Sequence, residues 1–144
     1  MLLQGNKKIL LGIAIYAAIF GLSFPLFSEY DYLSNPDIGT YIGLAEGNLD
    51  QSPVRRYRLL VPFLAKALDL SLGFLFDFLA PWEFPHPDFS LCFSFFLVNS
   101  LFLCLACLML VRLIKKDFIS QIAIIIALLV VLTSRWTPYI AGLP

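Results

Sequence analysis

The chain has 144 residues, 60% of them hydrophobic and only 14% charged, with a mean hydropathy of +0.85, well outside the range of soluble globular domains. Ten basic and ten acidic residues cancel, so no global field attracts nucleic acid, and none is expected as a partner. What remains is an integral membrane protein, with the lipid bilayer as its first partner and with its charges meaningful by position.

Ile9 to Phe27 is an uncharged apolar run long enough to cross a hydrocarbon layer of about 30 Å at about 1.5 Å per residue. Lys7 and Lys8 precede it, which puts the N-terminus in the cytoplasm by the positive-inside tendency. The run is long for a signal peptide and no small-x-small cleavage site follows, so it reads as a retained helix of a cell (inner) membrane protein.

The next segment is polar. Asp37 to Gly47 reads as a short helix, opened by Asn35 or Pro36, stopped by Gly47-Asn48, and carrying Asp37, Tyr41 and Ala45 on one face. Leu59 to Ala80 reads as a longer helix between Pro62 in its first turn and Pro81-Trp82. About thirteen Leu, Phe and Val at ~−0.5 kcal/mol each are offset there by Lys66, Asp69 and Asp77 at up to ~+3 kcal/mol each, so the segment is not expected to span. Pro62, Lys66, Asp69, Gly73, Asp77 and Ala80 step by three or four and share one stripe. Such an amphipathic helix lies in the outer interface, or tucks its stripe against other helices.

Phe89 to Val111 is a second spanning run, ending at Arg112, Lys115 and Lys116, another cytoplasmic end. A third run, 118–134, leads to the interfacial Arg135, Trp136 and Tyr139. The expected fold is therefore all-α and polytopic, with three transmembrane helices (9–27, 89–111 and 118–134) and an outer loop over 28–88. Cys92, Cys104 and Cys107 lie in one apolar run, and despite the Cys104-x-x-Cys107 spacing they read as small packing residues rather than disulfide or metal partners. His86 has no ligand companions and reads as a loop residue, and Asn99 and Ser100 read as cross-helix hydrogen-bonding groups.

The outer acidic and arginine residues have two readings. In one, Glu29, Asp31 and Asp37 mark a solvated loop while Arg55, Arg56 and Arg58 anchor the following helix to lipid phosphates. In the other, the arginines clamp the phosphate of a substrate lipid through forked hydrogen bonds, and a carboxylate serves as general base on an acceptor hydroxyl. Three arginines on the outer side run against the positive-inside bias, and phosphate binding supplies a reason for them.

Three elements in sequence carry a resemblance: Glu29-x-Asp31, then D-x-x-x-Y-x-x-x-A over Asp37, Tyr41 and Ala45, then P-x-x-x-x-R-x-L-x-P over Pro53, Arg58, Leu60 and Pro62. Following one N-terminal span, they resemble the start of GT-C-type membrane glycosyltransferases, which use polyprenyl-phosphate-linked sugars. The D-x-x-x-Y-x-x-x-A run is also similar to the first loop of bacterial lipid A aminoarabinose transferases and related mannosyltransferase-like proteins. The resemblance, over residues 9–80, implies Asp37 as catalytic base, with Asp31 and Glu29 as rival candidates, and Tyr41 and Arg58 on the substrate side, where the phosphate-clamp reading adds Arg55 and Arg56, with no metal ligand assigned. Members of that superfamily have many more spans, so the single membrane domain of 1–144 reads as the N-terminal part of a larger fold or as a degenerate relative, completed by further membrane helices of a partner chain. The rival expectation is a non-catalytic membrane subunit whose outer loop docks a partner.

Overall fold

The computed structural model describes residues 2–29, 36–48, 59–80, 88–116, 126 and 128–131. Among them every element is helical: α1 (Leu2–Glu29), α2 (Pro36–Ala45), α3 (Leu60–Leu79) and α4 (Phe89–Lys116). Two of these contain stretches long and apolar enough to cross a membrane, Ile9–Ser28 in α1 and Phe89–Arg112 in α4, as expected from the first two runs. The third expected span, 118–134, lies outside the described residues except for 126 and 128–131, which are helical. A count of three spans therefore remains an expectation from sequence.

The described residues fall into two compact units, one drawn from 1–26 and 100–142, the other from 27–99. In the first, Ile15 and Ile19 of α1 pack with Cys104 and Cys107 of α4, joined by Leu11, Tyr16, Leu103 and Leu108. The i, i+4 step on one helix and the i, i+3 step on the other put each pair on a single face. Close approach is possible because the residues are small: the Cys104 thiol donates a 3.5 Å hydrogen bond to the Gly12 carbonyl, and a Cβ on Gly12 would already touch Leu108. All three cysteines are buried and unbridged, in the packing role expected for them. Ser100 departs from expectation, because its hydroxyl is fully buried with no hydrogen-bond partner, so it acts as a small residue in α4 rather than as a cross-helix bond.

In the second unit, α2 packs on α3. Ala45 and Ala65 are buried with Leu91, Phe95 and Val98 of α4, and Tyr41, Ile42, Val61 and Leu68 close over them. Beside this core is an aromatic cluster. Phe27, at the end of α1, stacks on Phe96 at 4.8 Å between centroids and tilts against Phe89 and Phe93, while Phe76 of α3 meets Phe93 edge-on at 5.0 Å. Offset and edge-on pairs at these distances each add about 0.5–1.5 kcal/mol beyond area burial.

The end of α2 follows from its sequence. Gly47 takes a positive φ of 86°, the Asn48 N–H donates to the Gly43 carbonyl and the Gly47 N–H to the Leu44 carbonyl, which together form a Schellman motif. The helix thus stops at Ala45, two residues short of the expected boundary, with Gly47 and Asn48 closing its last turn. Gly47→Ala should cost about 1–2 kcal/mol, because a Cβ is disfavoured in the left-handed region. Nothing lies within 4 Å of the added methyl, so the loss is conformational and not steric. Denaturation of the variant in mixed micelles checks this, and an unchanged midpoint would show that the Gly47 turn contributes nothing to stability.

Candidate functional site

The residues expected to carry chemistry are placed unevenly. Glu29 is the last residue of α1 and Asp37 the second of α2. One turn after Asp37, Tyr41 is half-buried against the Ala45–Ala65–Phe95 core, so this ring packs as well as sharing the face of Asp37. Asp31, Arg55, Arg56 and Arg58 lie outside the described residues, as does His86.

What the structure does bring together is a polar group on α3. The buried residues of this helix are Pro62, Ala65, Gly73 and Phe76, which recur at helical spacing and define the face turned toward the protein. Lys66 and Asp69 lie at that face. The Lys66 ammonium donates to Asp69 Oδ2 at 3.0 Å, with the lysine side chain 33% exposed and the aspartate 13%. One turn on, Gly73 leaves room for the carboxylate: a Cβ there would stand 2.9 Å from Asp69 Oδ1 and 3.6 Å from the Ser90 side chain at the start of α4. Asp69 is thus held between Lys66 and the space that Gly73 leaves open on its own helix.

Of the two placements open to the stripe, the structure shows the one tucked against other helices. Pro62, Lys66, Asp69 and Gly73 share the inward face, and Asp77 emerges to the surface near the helix end. A sequence signal for the pair existed in the i, i+3 spacing of opposite charges beside a glycine four residues on, in a helix rich in Leu and Phe. Ser94, one turn beyond Ser90, is fully buried and its hydroxyl has no partner. Among the described residues no group of three or more His, Cys, Asp or Glu is placed to hold a metal ion.

Compared with known proteins, the chain matches no family model, no curated protein sequence and no solved structure.

Proposed function

We propose that the chain is an integral membrane protein resembling the N-terminal portion of GT-C-type glycosyltransferases, handling a lipid-phosphate-linked sugar at the outer membrane interface. One observation carries the reading: α1 and α4, each with a stretch able to cross a membrane, enclose a short helix that starts next to Asp37 and a longer helix packed on it. That order matches the layout the motifs led us to expect. In the proposed chemistry a carboxylate, Asp37 with Asp31 and Glu29 as rivals, accepts the proton of an acceptor hydroxyl. The freed oxygen attacks the sugar C1, and the C1–O bond breaks with its electron pair leaving on the lipid phosphate. Arg55, Arg56 and Arg58 would hold that phosphate, and Tyr41 would flank it.

A second reading, a non-catalytic membrane subunit that docks a partner, is favoured by the packing of Tyr41 and Ala45. Two of the three residues on the Asp37 face are taken up by the core.

Phosphate recognition is tested by binding of a polyprenyl phosphate to the full chain in nanodiscs. A charge-assisted hydrogen bond contributes about 1.5–3 kcal/mol, so Arg58→Gln should weaken binding about tenfold or more. Equal affinity of wild type for polyprenyl phosphate and for the uncharged polyprenol would sink the lipid-phosphate reading.

A further inference from the structure

The outward surface of α3 is unlike that of a helix lying along a water boundary. A boundary helix keeps one polar face in water and one apolar face in lipid. Around α3 the exposed residues include Leu60, Phe63, Leu70, Leu72, Phe74 and Phe78, with Leu70 at 76% and Phe78 at 87% exposure. Successive residues turn by about 100°, so exposed Leu70 and Leu72 point to opposite sides of the helix, about 200° apart. Apolar surface therefore covers more than half the circumference. Only two exposed residues of α3 are polar. One is Ser71, whose hydroxyl donates to the Ala67 carbonyl at 2.7 Å and so asks nothing of the surroundings. The other is Asp77, two residues from the helix end.

The charges that argued against membrane insertion are disposed differently from what composition implies. Lys66 and Asp69 neutralise one another at 3.0 Å on the side facing the protein. Such inward pairing is how ionisable residues are accommodated in membrane interiors. The helix is also fastened to membrane-crossing elements: Phe76 meets Phe93 of α4, Phe93 meets Phe27 at the end of α1, and Gly73 abuts Ser90. Within its unit, α3 is thus joined to the first turns of the candidate span Phe89–Arg112.

From this distribution we infer that α3 is immersed in bilayer hydrocarbon, with lipid acyl chains covering its Leu/Phe surface on both flanks and the Lys66–Asp69 pair shielded behind it. The inference rests on the reading of α1 and α4 as membrane-crossing. It goes beyond an interfacial helix, which wets one flank.

The test places a nitroxide at single cysteines, Leu70→Cys or Leu72→Cys, in the full chain with Cys92, Cys104 and Cys107 changed to Ala. The protein is reconstituted into phosphatidylcholine–phosphatidylglycerol vesicles. Oxygen partitions into hydrocarbon and a nickel chelate into water, so the ratio of their relaxation effects reports the surroundings. Oxygen should exceed nickel at both positions, as at a Met109→Cys label on α4. Nickel dominance at either flank would return α3 to the water boundary. Shielding from both reagents at both positions would mean a protein cover, a second copy or further helices, and would equally overturn the inference. Water exposure at Met109 would overturn the membrane reading itself and the inference with it. Should the cysteine-free chain fail to fold, Leu70→Trp and Leu72→Trp in a chain with Trp82 and Trp136 changed to Phe, read by brominated-lipid quenching, make the same distinction: both indoles quenched for immersion, one unquenched against it.

Discussion

Asp37→Asn should abolish sugar transfer by about 10²–10⁴-fold while leaving lipid-phosphate binding within a factor of two or so, the signature of a general base rather than a binding group. Asparagine keeps the shape of the side chain and, near a helix start, is as well tolerated as aspartate, so α2 should form unchanged. What it removes is the acceptor for the hydroxyl proton. Parallel assays of Asp31→Asn and Glu29→Gln decide among the three carboxylates, since one base suffices and only its loss should reach that magnitude. The assay needs the assembly in which the chain works, with donor lipid and acceptor supplied. Transfer surviving all three substitutions would leave the segment between α1 and α4 as a docking surface, and the subunit reading would replace the catalytic one.

The two long helices and α3 were legible because their signals are local and strong. Uncharged runs of about twenty residues mark Ile9–Ser28 and Phe89–Arg112. Pro62 near the start and Pro81 after the end bracket α3, observed over Leu60–Leu79. The stop of α2 was legible too, since Gly47 is the residue type that enters the left-handed region without cost. The facing of α3 was not. Periodicity groups Pro62, Lys66, Asp69 and Gly73 on one stripe but says nothing of what that stripe meets. Only packing against α2 and α4 turns it inward. α3 is not among the stretches long and apolar enough to cross a membrane, as the sum over its charges led one to expect, but that sum holds no term for the Lys66–Asp69 ion pair, which only the packed helix shows. Gly73 has meaning only through that pair: its neighbour is a side chain four residues back, and the helix from which Ser90 comes is distant in sequence. The arginines expected on the substrate side lie outside the described residues, so their placement rests on motif spacing.

The same ion pair predicts the largest change in stability. Removing one partner should be far worse than removing both. Asp69→Ala leaves the Lys66 ammonium partly buried without its acceptor, at a cost of about 3 kcal/mol, the low end for breaking a buried pair because a third of the lysine side chain stays exposed. Replacing the pair together, Lys66→Met with Asp69→Ala, leaves no uncompensated buried charge and adds no bulk beside Gly73, so it should cost less than Asp69→Ala alone. Unfolding in detergent–SDS mixtures measures the two variants against the wild type. Equal losses for single and double replacement would mean that the pair is solvated and its geometry incidental. Gly73 supplies an independent check through coupling. A methyl at that position meets the Asp69 carboxylate at 2.9 Å but Ser90 only at ordinary contact distance, 3.6 Å. Gly73→Ala should therefore push the carboxylate off its position in the wild-type chain and gain less there than once Asp69 is Ala, where helix propensity acts unopposed. That non-additivity would locate the carboxylate beside Gly73. Additive effects would move it elsewhere.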